Sequence, residues 1–122
     1  MTDTKETAEA FTALLREGKH IEAATQYNAP DIVSIEAMDG PMTVARGTAE
    51  LKIKSDWWYS HHEVHGGTVQ GPFVAKDQFL VEFELDFTIK ATGQRIQSKE
   101  WGVYTVRDGK ISEERFFYPT MA

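Results

Sequence analysis

The chain's pattern predicts an α+β fold in which helices cover one face of a curved antiparallel sheet. Three observations carry it. Two helical stretches fill the first 27 residues, a third follows Gly47, and β-rich runs separated by hairpin-length gaps occupy everything after Gly66. No linker, internal repeat or low-complexity segment interrupts this order, so residues 1–122 read as one domain.

From Thr4 to Arg16, Ala8, Phe11, Ala13, Leu14 and Leu15 fall at helical spacings, and Gly18 supplies a stop. A shorter helix runs from His20 to Tyr27. It cannot extend far past Asn28, because Pro30 disfavours helical geometry in the residue before it. Asp31 to Glu36 is β-branched and short, a strand. Met38 to Ala45, with its Asp39-Gly40-Pro41 turn signal, reads as a loop. The third helix opens with Thr48 as its cap, carries Leu51, Lys52, Lys54, Trp57, Trp58 and Tyr59, and ends between His61 and Gly66. In the next runs Phe79, Val81, Phe83, Leu85, Phe87 and Ile89 share one face, against Glu82, Glu84 and Asp86 on the other. Ile96, Ser98, Glu100, Gly102, Tyr104 and Val106 likewise share a face. Arg107-Asp108-Gly109-Lys110 is a tight hairpin signal, and the last strand runs from Ile111 to Tyr118.

Composition narrows the function classes. A chain of 122 residues with 41% hydrophobic residues can bury roughly two thirds of its unfolded surface, enough for one core. The absence of cysteine excludes disulfide frameworks, thiolate nucleophiles and cysteine-based metal sites. Thirteen Lys and Arg against nineteen Asp and Glu give a formal charge of −6, which repels phosphate backbones, so no nucleic-acid partner is expected. No run approaches the ~18 apolar residues of a membrane span, and the N-terminal stretch lacks a signal-peptide pattern. The expectation is a soluble, cytoplasmic protein with no membrane partner. No Gly-rich phosphate loop, G-x-S-x-G elbow or H-E-x-x-H zinc motif is present, and no cofactor is expected.

Several local strings now bear on family. The Ala8 to Gly18 helical hairpin, Asn28-Ala-Pro-Asp-Ile-Val, Arg46-Gly47-Thr48, Tyr104-Thr-Val-Arg-Asp-Gly-Lys-Ile and Phe116-Phe117-Tyr118 together resemble the NTF2-like superfamily. Within it they resemble the SnoaL-like group that includes polyketide cyclases and ketosteroid isomerase. The resemblance covers nearly the whole chain. It implies a cone-shaped α+β barrel with an internal cavity, its curved sheet packed against three helices from the N-terminal half, and a homodimer formed across the outer sheet face. Capping, turn formation and core packing explain each string, so the resemblance speaks to fold, and function rests on what lines the cavity.

Acids on apolar faces are the candidates for chemistry, because a carboxylate in an apolar cavity has its pKa raised toward neutrality. Glu100 interrupts a core-like strand face, Glu114 shares its face with Phe116 and Tyr118, and Glu36 ends the first strand. By resemblance, Glu36 falls where isomerase-like members carry their catalytic carboxylate. Pairing with a nearby Arg or Lys, or reaching solvent at a rim, is the ordinary alternative for each. Glu100, Glu36 and Tyr104 are the catalytic candidates. Phe11, Trp58, His62, Phe83, Glu114, Phe116 and Tyr118 are the candidate ligand lining. The isomerase pattern also needs an oxyanion hole, a Tyr on helix one and a protonated Asp on the penultimate strand. Those positions fall on Phe11 and Gly102, so steroid isomerisation by that mechanism is not expected.

In His61-His62-Glu63-Val64-His65, adjacent side chains point apart at a helix-to-strand junction, which favours a capping or rim role over a metal site. If His61 or His62 reaches the cavity mouth, it is a proton-transfer partner for a glutamate. His20, at the helical corner, is expected to be exposed. Of Trp57, Trp58 and Tyr59, one is expected in the core, one facing the cavity and one partly exposed. Trp101, opposite in parity to Glu100, is expected on the outer sheet face as a dimer contact. Two functions fit: acid/base chemistry of isomerase, cyclase or lyase type on a small hydrophobic, cyclic or polyketide-like molecule, and a non-catalytic ligand-binding or protein-interaction module.

Overall fold

In the computed structural model, which describes residues 3–40 and 43–119, the chain begins with helix α1 (Thr4–Arg16). The Asp3 side chain accepts a hydrogen bond from the Glu6 amide at 2.8 Å and caps this helix. Thr7, Ala8, Phe11, Thr12 and Leu15 form its buried stripe. Helix α2 (His20–Tyr27) follows and places Ala23 against the core, while His20 is exposed.

Strand β1 (Asn28–Ile35) begins earlier than the Asp31 expected from sequence. A short strand β2 (Val44–Arg46) pairs antiparallel with β1 inside the segment read as a loop. Three residues are too few to show a two-residue period. Of the predicted Asp39-Gly40-Pro41 turn, Pro41 lies outside the described residues. Helix α3 (Gly47–His61) carries no side-chain cap at its start. Thr48, expected as the cap, lies inside the helix, and Glu50 Oε1 instead accepts from the amide of the N-cap residue Arg46 at 2.8 Å.

Strand β3 (His62–Ala75) starts at once, so His62 and His65 belong to the sheet. Strands β4 (Gln78–Ile89), β5 (Gln94–Arg107) and β6 (Lys110–Phe117) complete a six-stranded sheet in the order β2-β1-β6-β5-β4-β3. The turn between β5 and β6 uses positive φ at Asp108 (53°) and Gly109 (75°), the backbone a tight twisted hairpin needs. One feature departs from the expected antiparallel sheet: β1 pairs parallel with β6. These strands lie at opposite ends of the chain, and their pairing leaves no local pattern.

The curved sheet with three helices on its concave side is the expected cone-shaped α+β arrangement. The core fills only part of the concavity. Phe11, Phe79, Val81, Tyr104, Val106 and Ile111 pack under α1. Phe11 meets Tyr104 at 5.1 Å, Phe79 at 5.9 Å and Tyr27 at 6.3 Å between ring centroids. Helix α3, by contrast, has no fully buried residue. Its half-buried positions, Leu51, Lys54, Ser55 and Trp58, recur at helical spacing and face the sheet, where Leu51 packs against the core and Trp58 meets Phe87. The expected core member of the Trp57-Trp58-Tyr59 triplet is therefore absent. Trp58 faces inward, half-buried, and its two neighbours are exposed, because α3 walls an open concavity.

Gly102 sits under the Tyr104 ring. An added Cβ would lie 2.9 Å from both Cε2 and Oη of Tyr104, whose ring is already stacked on Phe79 at 4.9 Å. Gly102→Ala is expected to destabilise the fold by roughly 1–3 kcal/mol through overpacking. Gly66→Ala, where a Cβ meets nothing within 4 Å, should be neutral or stabilising by under ~1 kcal/mol. Urea unfolding of the two variants checks this contrast.

Candidate functional site

The polar cluster is built by strand registry. Phe83 pairs with Glu100, Gly102 with Phe116, and Tyr104 with Glu114, so Glu100, Glu114 and Phe116 share the concave face with the core. Ser34 pairs with Glu114 across the parallel β1–β6 ladder, and Glu36 follows two residues later on the same face. Tyr118, one residue beyond β6, stands beside the Glu100 carboxylate, near enough for its phenol to favour the charged form.

Lys54 reaches into this cluster from α3. Its Nζ lies 2.5 Å from Glu36 Oε1 and donates to Ser34 Oγ at 2.8 Å. Ser34 in turn donates to Glu114 Oε2 at 3.0 Å. The ammonium also lies 5.4 Å from the Phe116 ring centroid, within cation–π range. One cation thus serves two carboxylates, one directly and one through a hydroxyl, while Glu100 stands apart with Tyr118.

The electrostatic consequence falls on Glu100. Burial, and then the negative charge of Glu36, push its carboxyl up from the ordinary 4.5 to about 7; the Tyr118 phenol and Lys54 oppose the rise. Burial also raises Glu114, against the pull of Lys54 and the Ser34 hydrogen bond. The phenols of Tyr104 and Tyr118 are raised by burial and by neighbouring carboxylates, so both stay protonated as donors at neutral pH. Glu100 is the group poised to exchange a proton near pH 7.

The remaining candidates are distributed around this centre. Phe11 and Phe83 are shut in the core at 5% and 8% exposure, and Tyr104 is buried with them. Tyr118, placed by sequence among the ligand lining, is the residue that partners Glu100. Trp58 meets Phe87 at 5.5 Å and stacks on His62 at 4.5 Å, on the side of the concavity lined by half-buried Leu85, Phe87, Ile96 and Ser98. The other histidines point elsewhere: His61 stacks on exposed Trp57 at 4.6 Å, and His65 bonds Thr88 Oγ1 at 2.7 Å. Among the described residues, no three His, Asp or Glu side chains converge as metal ligands. An open depression of about 620 Å³ is bordered by Gly67, Leu85, Ser98, Tyr118, Glu84 and Lys99. It reaches Tyr118 but not Glu100, and the carboxylate cluster rather than this depression carries the chemistry.

Sequence reasoning missed Lys54 and Ser34. The signal for Lys54 was its place between Leu51 and Trp58 on one helical stripe. For Ser34 it was the two-residue step to Glu36 on one strand face.

A curved sheet roofed by helices, with ionisable groups on its concave face, is the NTF2-like architecture. A Burkholderia pseudomallei protein described as NTF2-like superposes with a TM-score of 0.74 at 13% identity, over 98% of this chain and 92% of that one. Residues 1–118 match the SnoaL-like domain, and the chain belongs to that family. A Mesorhizobium loti structure provisionally named a SnoaL-like polyketide cyclase is 54% identical, with a TM-score of 0.93, over 97% of this chain and 100% of that one. A Jannaschia protein of the same provisional name shares 16% identity at a TM-score of 0.73, over 91% of this chain and 84% of that one. No curated protein matches the sequence.

Two predictions follow from the charge arrangement. The raised pKa of Glu100 means that the folded state holds this proton more tightly than the unfolded chain does. Its contribution is therefore fully present below about pH 4.5, is lost as pH rises through about 7, and amounts to at most ~3 kcal/mol. Between pH 5 and pH 8, urea-derived stability should fall more steeply in the wild type than in Glu100→Gln; parallel slopes would refute this assignment. Lys54→Met leaves Glu36 and Glu114 without their cation and should cost about 3 kcal/mol at pH 8, and less at pH 5, in the same measurement.

Proposed function

We propose that the protein binds a small hydrophobic cyclic molecule between α3 and the sheet, and that Glu100 moves a proton on it without a cofactor. The single observation that carries this reading is the placement of Glu100 on the concave face among apolar residues, where burial and the charge of Glu36 raise its carboxyl toward neutrality, beside a half-buried aromatic wall. A carboxylate of that basicity removes a proton from carbon alpha to a carbonyl, and the resulting acid returns it elsewhere, as isomerase, cyclase and lyase chemistry all require. Tyr118 orients the carboxyl. Lys54 supplies positive potential for an oxygen that gains charge, with Glu36 and Ser34 fixing its position. Trp58, Phe87 and Phe116 offer flat apolar surface to the rings.

A non-catalytic binding module is the second reading. It is favoured by Phe11 and Gly102, which provide no side-chain donor where the isomerase pattern has its oxyanion hole. A thermal-shift panel of cyclic ketones and polyketide-like hydroxyketones, followed by product analysis, separates the two. For a compound that is turned over, Glu100→Gln should lower kcat by roughly 10²–10⁴-fold and leave binding nearly intact. Binding without conversion, insensitive to that substitution, favours the module.

The outer sheet face supports a homodimer. Phe73, Leu80, Val103, Arg115, Ile35 and Val44 align in register across all six strands. Trp101 and Phe117 pair beside them at 36% and 42% exposure. A band of this kind in a chain of net charge −6 suits a second copy of itself. Sedimentation should show a dimer for the wild type and a folded monomer for Trp101→Glu. A monomeric wild type would overturn the assignment.

A further inference from the structure

Helix α3 is lightly held. Helix α1 sinks Thr7, Ala8, Phe11, Thr12 and Leu15 into the core, whereas α3 buries no side chain fully and rests on Leu51, Lys54, Ser55 and Trp58, all half-buried. Its start is equally light, because it follows the three-residue edge strand β2 through Gly47 at a φ of 81°. Detaching α3 breaks few apolar contacts and leaves the ladders joining β3, β4, β5 and β6 intact. An opening of that kind costs less than global unfolding.

The acids facing α3 give this opening a direction in pH. Three carboxylates gather round the Lys54 ammonium, Glu36 from β1, Glu100 from β5 and Glu114 from β6. Tyr104 and Tyr118 stay protonated, and β4 sets the uncharged Phe83 opposite Glu100. On α3 itself Glu50, Lys52 and Asp56 are exposed, and His61 and His62 are its last residue and its C-cap. Burial is the largest cause of the rise in both the Glu100 and the Glu114 carboxyls. Lifting α3 returns water to them and lowers both. The open form therefore holds fewer protons than the closed form, and opening becomes easier as pH rises.

We propose that α3 is a flap that lifts from the sheet while the strands stay paired, and that loss of the Glu100 proton promotes the lifting. Access to the concave face is thereby coupled to the charge of a group on that face. The flap depends on where Glu100 stands and not on the chemistry proposed for it, so a protein that only binds its ligand would share it.

Hydrogen exchange read by mass spectrometry tests this, with rates corrected for the pH dependence of exchange itself. A 15-residue helix detached from the sheet does not keep its hydrogen bonds in water, so exchange in α3 reports detachment. At pH 6 the amides of α3 should be at least ~10-fold less protected than those of β4 and β5. Between pH 6 and pH 8 their protection should fall by up to about 10-fold, the change allowed by a carboxyl that returns from about 7 to its ordinary 4.5. Glu100→Gln should abolish that fall, and Glu114→Gln, which leaves Glu100 in place, should retain most of it. Protection of α3 equal to that of β4 and β5, no fall between pH 6 and pH 8, or a fall that persists in Glu100→Gln and so belongs to His61 or His62, would overturn the proposal.

Discussion

The ammonium of Lys54 is the constraint on which the interior depends. Helix α3 buries none of its side chains fully, so packing alone does not fasten it to the sheet. Lys54 spans the gap to Ser34 and Glu36 on β1, and Ser34 passes the interaction on to Glu114 on β6. The same ammonium that ties roof to floor also sets the potential of the site. It pairs with Glu36 and opposes the rise of Glu114, while its pull on Glu100 is smaller than the effects of burial and of Glu36. Tether and tuning belong to one side chain, and the half-buried contacts of Leu51 and Trp58 complete the attachment of α3 to the sheet.

The division of the concave face follows from this anchoring. Under α1 the aromatic rings interlock, and Phe11, Phe79 and Tyr104 leave no space. Under α3 the sheet residues stay half-exposed. The carboxylates sit at the boundary, where burial is enough to raise Glu100 although its side chain is not fully enclosed. A fully packed interior would remove access, and a fully hydrated one would return the carboxyl to its ordinary range.

Much of this was legible in the sequence, for identifiable reasons. Strict alternation along β4 and β5 separated Glu100 from Glu82, Glu84 and Asp86. The outer acids are in fact paired at the surface, Asp86 with Arg95 at 2.7 Å and Glu82 with Lys99 at 3.1 Å. The boundaries of α1 and α2 followed from periodicity and from the glycine and proline that end them. Three features escaped because their causes are not local. The β1–β6 pairing joins distant segments in parallel, β2 is too short to show a period, and Lys54 sits between Lys52 and Asp56, which form a surface pair that makes the whole stretch look solvated. His62 stands among the ligand-lining candidates from sequence, but the direction of its ring is set by a stack on Trp58 that only tertiary structure reveals.

The packing of Tyr104 over Gly102 has an evolutionary consequence. A path from this chain toward an enzyme with an aspartate donor on β5 cannot proceed by changing Gly102 alone, since any side chain there meets the Tyr104 ring before it reaches the cavity. Tyr104 cannot shrink first without opening a void among Phe11, Phe79 and Phe116. The two positions must change together, which makes the crossing rare. Within this lineage, a rebuilt oxyanion hole on β5 is a poorly accessible route to new chemistry.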